Sequence, residues 1–291
     1  MASLIDLRRR LRSVKNTQQI TRAMKMVAAA KLRRAQDRAI AARPYAKLLR
    51  EVLASVSAQA GEVKHALLAA REEKKVIVLI VAGDKGLAGA FNANVQRAAV
   101  ALLAEKAGWE QVTILPIGRK ALDYWKRRGR PMTEKTYSGI FARVEYAHAR
   151  EIAAFLAREF TEGRADAVYA VANEFKSVMT QVVKAERILP IERSTIAVAE
   201  ASRESPRQYI YEPDAATILE RLLPRFLEFA VFRLLLESAA AEHAARMTAM
   251  DSATKNAGEM IDNLTLTYNR ARQARITKEL IEIVSGAAAL E

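Results

Sequence analysis

Cysteine is absent from the 291 residues, which excludes disulfides and thiolate metal sites and is compatible with a reducing compartment. Histidine is almost absent: His65, His148 and His243 stand far apart, without the spacing of metal ligands or of a Ser/His/Asp group. No run of eighteen apolar residues occurs. The greasiest stretch, Phe226 to Ala241, is interrupted by Glu228, Arg233 and Glu237, so no membrane span is expected. The N-terminus lacks an apolar core followed by a cleavage site, so no secretory signal is expected either. The first sixty residues hold no glycine and a single proline, Pro44, so breakers of a helix are few there.

What is present is half apolar (51%) and one quarter charged (27%), a globular balance. The net charge of +14 is uneven: residues 1–60 carry +11 and residues 214–291 carry −2. A basic N-terminal third suits nucleic acid, acidic lipid or an acidic protein surface, and a solvated helix face accounts for it equally well. Nucleic acid is the weaker reading. The basic stretch has no aromatic interleaving, and Leu4, Leu7, Leu11 and Val14 are needed for an apolar seam.

That seam continues through Ala39, Ala42, Ala46, Leu49, Leu53 and Val56, with a change of phase at Ile20, Met24 and Val27. The spacing predicts one amphipathic helix about 80–90 Å long, a coiled-coil length. From Asp214 to Val284 a second helical stretch is expected, broken at Pro224 and Gly258. Its seam runs through Met247, Met250, Thr254, Ala257, Ile261, Leu264, Tyr268 and Ala271, then slips and resumes at Ile276, Leu280 and Ile283. Between the two lies an α/β pattern. Strands are expected at 76–82, 112–117, 167–175 and 180–189, and helices at 92–106, 119–128 and 143–162. The fold class is therefore an α/β insert with a largely parallel sheet, carried on a long antiparallel coiled coil of the N- and C-terminal helices. The expected divisions are 1–60, 61–212 and 213–291.

The loop Gly83-Asp-Lys-Gly-Leu-Ala-Gly89 is the one enzyme-like motif. A phosphate-binding loop needs Gly-Lys-Ser/Thr, so that amides, lysine and a magnesium-binding hydroxyl converge. Here Lys85 precedes Gly86 and Leu87 follows it, and the three-glycine dinucleotide spacing is missing too. The loop reads as a tight turn or a partner contact. Glu72 and Glu73 read as solvated, Trp109 and Trp125 as packing residues, and no cofactor is expected.

Three strings carry a family resemblance. Glu242-His-Ala-Ala-Arg-Met-Thr-Ala-Met-Asp-Ser-Ala-Thr-Lys-Asn256, the run from Tyr268 to Ala288, and Asn16 to Lys31 resemble motifs at the two ends of the gamma subunit of F-type ATP synthases. The loop from Gly83 to Asn92 resembles the family's insert loop, with Ala88 where some relatives carry cysteine, so a thiol-dependent role is not expected there. No cysteine-bearing regulatory insertion is present, so the light/redox switch of chloroplast members is expected to be absent.

The resemblance implies a central shaft turning inside a ring of alternating alpha and beta subunits. It implies further partners in epsilon and the c subunits of the membrane rotor ring, and no catalytic site on this chain. It implies a peripheral place on the cytoplasmic face of a bacterial inner membrane. Arg272, Gln273 and Thr277 match positions that hold the catch loops of the ring, and Met24 and Lys25 match the region facing the beta subunits' acidic lever. Tyr209, Tyr211 and Glu212 match the foot on the rotor ring. The charge-free stretch from Ile283 to Leu290 suits a shaft tip in an apolar sleeve, where fixed ion pairs would trap particular angles.

Overall fold

The computed structural model describes residues 3–59, 65–192, 211–212 and 214–288, with backbone only at 58–59 and 286–288. The element order is α1 (Leu4–Gln59), β1 (Lys75–Val81), α2 (Phe91–Glu105), β2 (Gln111–Ile117), α3 (Arg119–Arg127), α4 (Tyr146–Thr161), β3 (Ala167–Phe175), β4 (Gln181–Leu189) and α5 (Ala215–Ala288). Contacts divide the chain into two compact units, residues 29–245 and residues 1–28 with 246–291, so α1 and α5 each contribute to both.

Residues 29–245 are built on a four-stranded sheet of order β2-β1-β3-β4. β1 pairs in parallel with β2 (Val76↔Val112 to Val81↔Ile117) and with β3 (Val76↔Ala167 to Ile80↔Val171), whereas β4 returns antiparallel to β3. A parallel central strand needs cover on both faces, which is why β1 reads as an unbroken apolar run. Ile77, Leu79 and Val81 face a layer made by α4 together with Leu53 and Val56 of α1 and Leu219, Leu223, Leu227 and Val231 of α5. Val76, Val78 and Ile80 face α2 and α3 through Val95, Ala99, Leu102 and Trp125. α4 begins three residues later than expected, at a reciprocal cap in which Glu145 and His148 bond each other's backbone N–H.

The expected break at Pro224 does not occur, since α5 runs through it. A mid-helix proline costs about 3 kcal/mol, but Leu223 and Leu227 on either side are 0% and 1% exposed, and their burial outweighs that cost. Gly258 does not break the helix either. A Cβ there would lie 3.2 Å from Nε2 of Gln18, so the glycine makes room for α1.

In residues 1–28 with 246–291 the two helices run antiparallel, because Lys25 meets Asp251 while Thr21 and Gln18 meet Thr254. Leu7, Thr21 and Ala28 of α1 and Met250 and Ala257 of α5 are buried in this seam. The expected phase change through Ile20 and Val27 is corrected: both are more than half exposed, and the seam passes through Thr21 and Ala28 instead. Small side chains at those two positions allow the backbones to approach closely.

Candidate functional site

The seam residue Thr254 brings its hydroxyl within 2.8 Å of the Thr21 hydroxyl, and the Gln18 amide donates to the Thr254 carbonyl at 3.5 Å. One turn away, Lys25 Nζ donates to Asp251 Oδ1 at 2.6 Å, and Lys255 reaches the other oxygen at 3.3 Å. Hydrogen bonds from Lys25 and then Lys255 hold the Asp251 carboxyl below the usual range. Lys25 is therefore a half-exposed cation already paired across the helices. Met24 beside it is half-buried.

At the register set by Thr21 and Thr254, Leu4 lies level with Ala271. Beyond that point α1 has no residues left in helix, and every described side chain from Arg272 to Ser285 is exposed. The resumed seam at Ile276, Leu280 and Ile283 is thus corrected as well. These residues are 49%, 57% and 68% exposed, and among the described residues no second helix covers them. Arg275 and Lys278 are paired along the helix with Glu279 and Glu282. Arg272 makes no hydrogen bond or ion pair among the described residues, and it stands with Gln273 and Thr277 on this single exposed helix.

In residues 29–245, the loop after β1 is organised by Asp84. Its carboxylate accepts from the backbone N–H of Arg119 at 3.0 Å, of Gly139 at 2.8 Å and of Phe141 at 3.3 Å. Asn92 closes the loop by accepting from Gly83 N at 2.9 Å and donating to the Lys85 carbonyl at 3.3 Å. A carboxylate thus occupies the N-terminus of α3, where an anionic ligand of such a sheet would otherwise bind. Glu242 of α5 packs over Gly83 so closely that a Cβ there would come within 2.8 Å of its carboxylate. Of the three residues expected at a foot, Tyr211 donates its hydroxyl to Ser55 Oγ of α1 at 2.8 Å, Glu212 is exposed, and Tyr209 lies outside the described residues.

Sequence reasoning placed Glu73 in solvent, and the structure corrects this. Its carboxylate accepts from Arg187 at 3.0 Å, from the Tyr169 hydroxyl at 3.0 Å and from the Trp109 indole at 3.2 Å, with the two rings 5.0 Å apart. Burial pushes the Glu73 carboxyl up, but the three hydrogen bonds and the Arg187 charge outweigh it, and the net shift is downward. Burial and then the Glu73 hydrogen bond push Tyr169 up to about 12. A lowered carboxyl stabilises the fold fully above its ordinary value and loses that contribution as pH falls through the lowered one. The urea midpoint of Glu73→Gln is therefore expected to lie below that of the parent chain at neutral pH, with the gap closing below about pH 4.5, the ordinary carboxyl value. A gap independent of pH would show that the glutamate acts by packing alone. No sequence signal marked it, because its three partners come from β3, β4 and the segment before β2.

Among the described residues no group of three His, Asp or Glu side chains is placed to hold a metal ion, and no helix is long and apolar enough to cross a membrane.

The sequence family described as ATP synthase matches residues 3–290. The chain is 54% identical to the ATP synthase gamma chain of Solibacter usitatus and 47% identical to that of Pelotomaculum thermopropionicum, in both cases over 100% of each chain. Among solved structures, a chain of the Euglena gracilis mitochondrial ATP synthase OSCP/F1/c-ring in rotational state 3 superposes with a TM-score of 0.68 at 21% identity, covering 99% of this chain and 94% of that one. A chain of the Tetrahymena thermophila mitochondrial ATP synthase central stalk/c-ring gives 0.61 at 24% identity, covering 80% and 99%. At those identities the structures speak for the fold, and the full-length sequence matches speak for the family: the chain belongs to the ATP synthase gamma chain family.

Proposed function

We propose that this chain is the rotating central-stalk subunit of a proton-translocating F-type ATP synthase, passing torque between the membrane rotor ring and a ring of alpha and beta subunits. The observation that carries the reading is the single exposed helix beyond Ala271. It bears an unpaired Arg272 and then an apolar face of Ile276, Leu280, Ile281, Ile283 and Val284. An isolated protein gains nothing by leaving that face in water, and a surrounding sleeve of subunits would cover it. Arg272, Gln273 and Thr277 are the residues that engage the ring, Met24 and Lys25 face the beta subunits, and Tyr209, Tyr211 and Glu212 form the foot on the c subunits beside epsilon. The chemistry belongs to the beta subunits. An asymmetric shaft touches three sites differently, so its rotation shifts their conformational equilibria by differential contact energy. The place of action is the cytoplasmic face of a bacterial inner membrane, held there peripherally through the complex.

The test is reconstitution. The purified chain is expected to co-elute with alpha and beta subunits as a stoichiometric ATPase, and absence of such a complex would end the reading. Charge-assisted hydrogen bonds are worth ~1.5–3 kcal/mol each, and about 1.4 kcal/mol on a barrier is tenfold in rate. Arg272→Ala is thus expected to slow ATP hydrolysis by the complex by about tenfold or more while the free chain keeps its helical circular dichroism. Unchanged turnover would reduce Arg272 to a surface charge.

A further inference from the structure

Part of the positive charge elsewhere in residues 29–245 is neutralised in place: Arg143, Arg164, Arg187, Arg225, Arg233, Lys74, Lys135 and Lys184 all lie in ion pairs. Among the described residues of 29–245, the densest run of cations outside any ion pair is α3 and the turn after it. Arg119, Lys120, Lys126, Arg127, Arg128 and Arg130 are all exposed, fall within twelve residues and form no ion pair among the described residues. Asp123 is the one acid in that stretch.

The placement is ordered. Ala121 and Trp125 bury one face of α3 against the sheet, which leaves the charges on the other. The Arg128 guanidinium stacks on the Tyr124 ring at 4.4 Å and is held outward. Lys126 and Arg127 also meet the negative end of the helix dipole, which accounts for two cations and not for six. Crowding like charges costs free energy that an anionic partner would relieve.

The geometry points to α3 and its following turn as a docking surface for anionic phospholipid headgroups. Three things favour lipid over an acidic protein. Protein interfaces form around an apolar or aromatic anchor, and no large hydrophobic side chain is exposed anywhere between Leu87 and Met179. Diffuse attraction of a basic patch to a charged bilayer needs no such anchor. A fluid headgroup surface also offers no fixed partner, so a turning subunit can sweep it without falling into one preferred angle. This last point rests on the rotor reading, which brings the chain to a membrane.

The test uses the chain assembled with alpha and beta subunits, mixed with phosphatidylcholine vesicles with or without phosphatidylglycerol and assayed by co-sedimentation. Binding is expected only to the vesicles containing phosphatidylglycerol. Combining Lys126→Glu, Arg127→Glu and Arg130→Glu should weaken it by about tenfold or more, with ATP hydrolysis unchanged, and the matching triple change to Gln should weaken it in the same direction. Equal binding to both vesicle types, or unchanged affinity in the triple variants, overturns the proposal. So does a variant that loses retention on polyglutamate but keeps its affinity for vesicles, which would make the partner an acidic protein. If the subunits fail to assemble, the rotor reading falls. The same comparison on the free chain then decides the surface alone, against a charge-matched control of Arg8→Glu, Arg9→Glu and Arg12→Glu, and equal losses from the two triples overturn it.

Discussion

Gly118→Ala is expected to destabilise the chain by about 3 kcal/mol or more, combining backbone strain of ~1–3 kcal/mol with a steric term of similar size. Gly118 follows β2 and precedes α3 with φ 87° and ψ 146°, a region open to glycine alone. A Cβ there would sit 2.0 Å from the Ala82 carbonyl oxygen, which is backbone and cannot swing away. The surroundings are fixed by hydrogen bonds: Gly118 N donates to the Tyr137 carbonyl at 2.6 Å, Ala82 N to the Ile117 carbonyl at 2.9 Å, and Lys120 N to the Gly83 carbonyl at 3.0 Å. Relief of the clash must therefore part β1 from the start of α3 and disturb the Asp84 contacts as well. Gly129→Ala is the control. Its φ is 60° and nothing lies within 4 Å of the added carbon, so it is expected to cost only ~1 kcal/mol. Urea midpoints of the two variants separate strain from crowding, and equal shifts would mean that the close approach to Ala82 is not felt.

Met24→Lys is expected to uncouple rather than inactivate: the reassembled enzyme should keep hydrolysing ATP while the ratio of protons pumped to ATP consumed falls by roughly half or more. Lys25 is already neutralised by Asp251 at 2.6 Å. A lysine at position 24 would thus add a cation with no partner in the seam, beside the exposed Arg22. Close charge pairs at protein interfaces couple by about 1.5–7 kcal/mol. An acidic lever on the beta subunits would gain that attraction at some rotary angles and not at others. Deeper minima at a few angles raise the barriers between them, so torque is lost as slippage while each site still turns over. The measurement is proton pumping against ATP hydrolysis in membrane vesicles holding fully assembled variant enzyme. An unchanged ratio would mean that this face of α1 does not meet the lever.

Much of the architecture was determined by the sequence alone. The β-branched apolar run Val76 to Ala82, stopped at Gly83, pointed to a strand covered on both faces, and the three/four apolar spacing over sixty residues without glycine pointed to a long helix. Strings such as Glu242 to Asn256 carry the family resemblance. Those signals are local, since period, breakers and motif order are properties of neighbours in the chain. Tertiary structure decided the rest. It carried α5 through Pro224, because the burial of Leu223 and Leu227 outweighs the lost backbone bond. It moved the seam from Ile20 and Val27 to Thr21 and Ala28, because how closely two helices approach depends on both. It drew Glu73 in from solvent, and it left Ile276, Leu280 and Ile283 exposed, past the part of α5 that the described residues of α1 accompany. It also filled the loop after β1 with the carboxylate of Asp84. Each of these outcomes turns on which distant residue arrives alongside, and the free energy of that meeting is written in no single stretch of chain.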